Sequence, residues 1–185
     1  TLMGFPTVCD NANVEGYRSI TIPGAAAGFD HALRKWGRLP MTTVAAPAIA
    51  LAENGVEATW FTTLQIALAS PVLAKDPASR EIYLPGGHPI APERPMVIPQ
   101  LAQTLARFAE GGDEAFYKGS LARDLVADLN AGGSVSSTDD LAAYEVLEAP
   151  AHTQEHRGAT AHVMGDVSGG TRLHDFLAFS QTHMP

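Results

Sequence analysis

Glycine placement does most to limit what this chain can fold into. Gly37, Gly55, Gly111-Gly112 and Gly132-Gly133 each follow a run whose apolar residues recur with helical spacing. Glycine in that position closes a helix, because it reaches the left-handed conformation that lets the last carbonyls find partners. Phe29, Ala32, Leu33 and Trp36 stand at i, i+3, i+4 and i+7, the stripe of an amphipathic helix that Gly37 ends and Pro40 keeps from resuming. A second helix is expected over Thr43–Glu53, with Thr42 or Thr43 as N-cap, Pro47 near its first turn and Asn54-Gly55 as the stop. Further helices are expected over Thr62–Lys75, over Pro99–Glu110 with Leu101, Leu105 and Phe108 on one face, and over Ser120–Asn130 with Leu121, Leu125, Val126 and Leu129 inward. Ser137-Thr138-Asp139-Asp140 has the form of a capping box, and Thr171–Phe179 reads as a last helix.

Strand signals are few. Tyr17–Ile22 alternates and is rich in β-branched residues, and Tyr144–Leu147 and Thr160–Met164 are the other candidates. Between them, four prolines from Pro85 to Pro95 forbid regular structure in the stretch from Arg80 to Pro99. The fold class expected is therefore α+β and mostly helical. It is either a helix bundle or one layer of a larger α+β protein whose main sheet lies elsewhere.

Of the 185 residues, 45% are apolar and 17% charged, which suits a globular chain. The formal net charge of -8 repels a phosphate backbone, so nucleic acid is not expected as a partner. No apolar stretch is long enough for a membrane span. The single cysteine, Cys9, excludes an intrachain disulfide and has no activating neighbour in sequence. The opening TLMGFPTVCDNAN lacks the features of a signal peptide, and a start without Met reads as processing or a fragment.

Patterns that could carry chemistry are sparse. His152-Thr153-Gln154-Glu155-His156 matches H-x-x-E-H, a zinc signature in which two histidines on a helix hold metal and the Glu acts as base. A third ligand is needed, yet beyond Glu155 the acidic residues are only Asp166 and Asp175. Pro150 and Arg157-Gly158 also make a poor setting for a helix. Ser168-Gly169-Gly170 precedes a helix and reads as a cap with a flexible approach rather than an anion nest. Leu84-Pro85-Gly86-Gly87 reads as a turn, and Ser134, Ser136 and Ser137 as capping residues. His31 and His174 read as partly buried side chains on helices. From spacing alone, no catalytic, substrate-binding or metal-ligating residue and no cofactor is nominated.

An ordered set of short motifs adds to this. Gly24 and Gly28 are followed by Trp36-Gly37-Arg38-Leu39-Pro40, Pro47-Ala48-Ile49, Leu51-Ala52 and Gly55. Then come Tyr83-Leu84-Pro85-Gly86-Gly87, Pro99 with Leu101-Ala102 and Thr104-Leu105, and Ala115-Phe116-Tyr117-Lys118-Gly119. Gly132-Gly133, Asp140-Leu141-Ala142-Ala143-Tyr144 and Arg157-Gly158 complete the series. Over about residues 16 to 158 the chain resembles the γ-glutamyltranspeptidase family, with a weaker tail to about 180. It departs from the family's pattern at His156, where Tyr is usual, at Ala91-Pro92-Glu93, and at Gly165-Asp166-Val167 before Ser168.

The resemblance implies an αββα N-terminal nucleophile hydrolase fold, of which residues 1–185 would be a single partial domain from the interior of the large subunit. It implies transfer or hydrolysis of γ-glutamyl groups, as from glutathione-type amides, through a Thr acyl-enzyme. Thr42-Thr43, Thr62-Thr63 and Thr182-His183 lack the family's nucleophile context, so that Thr is expected outside this chain, as is the Arg that holds the substrate carboxylate. The implied partners are a γ-glutamyl small molecule, the remaining large-subunit segments and the small subunit. The resemblance points to a periplasmic or extracellular setting, with a cytoplasmic one also open. The rival expectation is a non-catalytic helical module that binds a partner.

Overall fold

The computed structural model describes residues 8–165 and 169–183, and the chain forms two compact units that divide after Val146. The first runs α1 (Ala25–Trp36), α2 (Met41–Asn54), β1 (Val56–Glu57), α3 (Trp60–Leu73), α4 (Pro77–Tyr83), β2 (Pro95–Met96), α5 (Pro99–Tyr117), α6 (Ser120–Ala131) and α7 (Thr138–Ala142). The second holds β3 (His152–His156), β4 (Ala159–Val163) and α8 (Gly170–His183). The described residues are thus mostly helical, with two small antiparallel sheets, β1-β2 and β3-β4.

In the first unit α5 is the central element and lies against α1, α2, α6 and α7. Its inward face is built from Ala102, Phe108 and Ala109, while Leu101, expected inward, is exposed. The small alanines let α2 and α1 approach closely. From α6, Leu121, Val126 and Leu129 are buried as expected and Leu125 packs at the edge. One core gathers Ala27, Tyr117, Ala122, Val126 and the fully buried Leu141, and a second gathers Ala58, Ile66, Leu84 and Ile90. Ser137 and Asp140 form the expected reciprocal capping box at the start of α7.

Several expectations are corrected. Tyr17–Ile22 is not a strand: Tyr17–Ser19 is a 3-10 turn, held by Arg18 Nε donating to the Gly133 carbonyl at 3.1 Å. Its partners are helix ends, so alternation there reflects half-burial without a ladder. Tyr144–Leu147 likewise forms no strand. The Phe29/Trp36 stripe of α1 points away from the core, with these side chains 68% and 66% exposed, because Ala27 and Asp30 fill the inner face. Gly37 is extended (φ −72°) rather than left-handed, and a Cβ there would lie 2.3 Å from the Leu33 carbonyl oxygen. Gly55, by contrast, does end α2 at positive φ (95°).

α2 starts at Met41, earlier than expected, with Pro40 as N-cap and no side-chain cap, so Pro47 falls inside the helix rather than at its first turn. α3 also contains a proline, Pro71, and the Ala67 carbonyl that it leaves without a backbone donor accepts from Ser70 Oγ at 2.8 Å. Arg80–Tyr83, expected as loop, belongs to α4, whose first turn is capped by Asp76 accepting from Ser79 N–H at 2.7 Å. Pro95 enters a strand after all, because a two-residue ladder tolerates a missing donor at its edge. α5 does not stop at Gly111-Gly112: it breaks at Gly112 and resumes to Tyr117.

Candidate functional site

Among the described residues, a dense arrangement of ionisable groups lies where α1 crosses the break in α5. Asp30 and Arg34 stand one turn apart on α1. Arg34 Nη2 lies 2.8 Å from Asp30 Oδ2 and 2.7 Å from Asp113 Oδ2. Asp113 follows the break, and its backbone N–H donates to Asp30 Oδ2 at 3.4 Å. Asp30 therefore caps the final segment of α5 from another helix. Gly112 makes this possible: its φ is 59°, and a Cβ on it would meet Asp30 Oδ1 at 3.0 Å.

Tyr117 completes the exchange. Its hydroxyl donates to the Pro23 carbonyl and accepts from the Ala27 N–H at 3.1 Å. Gly24 provides α1 with no side-chain cap, so α5 caps α1 just as α1 caps α5. The Tyr117 ring stacks on Tyr144, with centroids 5.3 Å apart and planes within 9°.

Burial pushes the Asp30 carboxyl above its usual range, against the opposing pull of Arg34. Burial also pushes Asp113 up, but the Arg34 hydrogen bond and charge outweigh it and hold that carboxyl low. Burial raises the Tyr117 phenol. Beside these groups lies a cleft of about 330 Å³, also lined by Glu114, Lys118 and Glu145. Its cations are paired within its own walls, Arg34 with Asp113 and Lys118 with Glu114 at 2.8 Å. The arrangement is a clamp between helices: it holds charge and donors in place and offers no free nucleophile.

Sequence reasoning missed this clamp. Asp30 and Arg34 carried a weak signal as an i, i+4 ion pair, but nothing in the sequence joined them to Asp113 or Tyr117.

The H-x-x-E-H segment lies on β3 rather than on a helix. Alternation puts His152 and His156 on the face toward α8 and Glu155 on the other, where Thr160 Oγ1 donates to it at 2.5 Å. His152 meets the His174 ring edge-on with centroids 5.8 Å apart, and His156 Nδ1 sits 3.2 Å from the Leu177 carbonyl oxygen. Among the described residues no group of three or more His, Cys, Asp or Glu could hold a metal ion.

The remaining candidates disperse. Thr42 and Thr43 lie in α2, and Thr62 and Thr63 in α3, where Thr63 Oγ1 donates to the Ile90 carbonyl at 2.9 Å. Thr182 is within α8 and donates to the Ala178 carbonyl at 3.2 Å. Ser134 and Ser136 bond one another at 3.1 Å. Cys9 is exposed. Half-buried His31 meets the Trp36 ring edge-on. Gly169 and Gly170 lead into α8 as expected, while Ser168 lies outside the described residues. No described helix is long and apolar enough to cross a membrane.

Comparison with known proteins gives this geometry its setting. The gamma-glutamyltranspeptidase family profile matches residues 5–182. Glutathione hydrolase 3 of Arabidopsis thaliana is 33% identical over 84% of this chain and 24% of its own length. The Acylase ACY 1 proenzyme of Pseudomonas sp. (strain V22) is 36% identical over 74% of this chain and 25% of its own. The crystal structure of Helicobacter pylori gamma-glutamyltranspeptidase superposes with a TM-score of 0.88 at 26% identity, covering 94% of this chain and 50% of that one. The chain thus spans about a quarter of the length of these curated relatives. It belongs to the gamma-glutamyltranspeptidase family of enzymes, and its helices and short strands are part of that family's αββα N-terminal nucleophile hydrolase fold.

Proposed function

We propose that residues 1–185 are a partial domain from the large subunit of an enzyme that transfers or hydrolyses γ-glutamyl groups, and that the Thr nucleophile lies outside this chain. The observation that carries this reading is the family match over residues 5–182 in a chain spanning about a quarter of its curated relatives. The site geometry supports it: Thr42, Thr43, Thr62, Thr63 and Thr182 all lie within helices, and the charged cluster on α1 and α5 is internally paired. In this reading the chain's contribution is mechanical. The α1–α5 clamp fixes the helical layer, the remaining large-subunit segments and the small subunit complete the site, and a free Thr amine and hydroxyl perform acyl transfer there.

The test compares this chain with a polypeptide extended to the length of the relatives, using a γ-glutamyl anilide and following aniline release. The expected result is turnover by the extended polypeptide and none by residues 1–185. Turnover by this chain alone would overturn the location of the nucleophile, and silence of a correctly processed extended polypeptide would overturn the reaction. A second reading, an acylase acting on other acyl amides, is favoured by the 36% identity to the acylase relative. An acyl anilide lacking the α-amino group separates the two, because only an acylase turns it over faster than the γ-glutamyl compound.

A further inference from the structure

The helix α3 carries two apolar faces, and the first unit covers only one of them. Ile66 is buried with Ala58, Leu84 and Ile90, and Leu73 packs against that cluster. On the other side stand Trp60, Phe61, Leu64, Leu68 and Val72, exposed by 71%, 53%, 45%, 70% and 44%. At 100° per residue these five fall within an arc of roughly 120°, so they form one continuous stripe. No charged residue occurs between Trp60 and Leu73. A solvent-facing helix carries charge on its outer face, whereas one that is apolar all round is buried.

We infer that this outer face of α3 is a docking surface for apolar segments of the same polypeptide that lie beyond residues 1–185. The inference rests on the proposed function only in taking the chain as part of a longer polypeptide.

Two observations select that occupant. First, this chain accounts for 24% of the Arabidopsis relative and 50% of the Helicobacter pylori chain, so long stretches of related polypeptides have no counterpart here. Second, the stripe exposes on the order of 500 Å² of apolar surface, in the upper part of the range of the largest patch on a typical monomer, where such patches are often functional. That is below the roughly 800 Å² per partner that a stable complex of separate molecules buries. A face of this size suits intramolecular packing, where the chain connection spares the cost of association. A lipid surface fits poorly: α3 has no Lys or Arg to meet headgroups, and the chain's net charge is -8.

The experiment places a thiol on the stripe. Leu68→Cys in a Cys9→Ser background is labelled with a maleimide, in residues 1–185 and in the polypeptide extended to the relatives' length. Labelling is expected at least tenfold slower in the extended polypeptide. Equal rates in the two would overturn the inference, whether or not the extended polypeptide turns over γ-glutamyl substrate. A companion Leu64→Asp/Leu68→Asp variant is expected to leave the melting of residues 1–185 unchanged and to lower the yield and Tm of the extended form. Slow labelling of residues 1–185 with concentration-dependent dimerisation would also overturn it, and would assign the face to a second copy.

Discussion

Removing one oxygen from Tyr117 tests whether the α1–α5 clamp stabilises the first unit. In Tyr117→Phe the ring keeps its stack on Tyr144, but the Ala27 N–H and the Pro23 carbonyl lose their shared partner. Ala27 is 5% exposed, so its N–H has no route to water, while half-buried Pro23 can rehydrate its carbonyl. A buried donor left unsatisfied costs about 1–3 kcal/mol, and the Pro23 bond adds up to about 1 kcal/mol. The expected loss is therefore about 1–4 kcal/mol, read as a lower urea midpoint at unchanged m-value by far-ultraviolet circular dichroism. Tyr144→Phe makes the same chemical change on the other ring of the stack, where no such pair of backbone groups is served, and should cost less than about 0.5 kcal/mol. Equal effects of the two substitutions would refute the assignment of the clamp to the Tyr117 hydroxyl. The phenol also sets an alkaline limit. Burial raises its folded pKa above the unfolded value of about 10, so its contribution is complete below pH 10 and is lost as pH rises through the higher folded value. Tyr117→Phe should abolish that part of the alkaline loss.

Gly112→Ala should destabilise by about 1–3 kcal/mol in the same urea assay, since it places a side chain at φ 59° and against Asp30 Oδ1. The Asp76 carboxylate is held below its usual range by hydrogen bonds from Ser79, first from the backbone N–H. Its contribution should be present above about pH 4 and lost as pH falls through its lowered folded value, and Asp76→Asn should flatten that acid limb of a pH titration followed by circular dichroism.

Helices α1, α2 and α6 were legible because each couples an apolar run to a glycine just past its end, and both signals are local, whereas the glycine pair at 111–112 interrupts α5 without ending it. Gly55 and the Ser137/Asp140 box did what their residue types require. The clamp was not legible, because Asp30 with Asp113 and Tyr117 with Ala27 are pairings across more than eighty residues, and no local pattern encodes them. The Phe29/Trp36 stripe illustrates a different limit. Periodicity reveals that a face is apolar but not whose atoms cover it, so it reads the same on a helix turned inward or outward. The β1-β2 ladder spans two residues per strand, too short for alternation to register. His152 and His156 misled for a related reason: the spacing fits one turn of helix, yet it also sets two residues on one face of a strand.

The reciprocal capping of α1 and α5 has a consequence for synthesis. Tyr117 follows Ala27 by 90 residues, so on the ribosome α1 emerges roughly 5–20 s before the hydroxyl that ties down its first turn. During that interval α1 is a short helix with an open amino end and little stability of its own. Translation speed through the α2–α4 region therefore sets how long the uncapped first turn of α1 waits before the clamp can close.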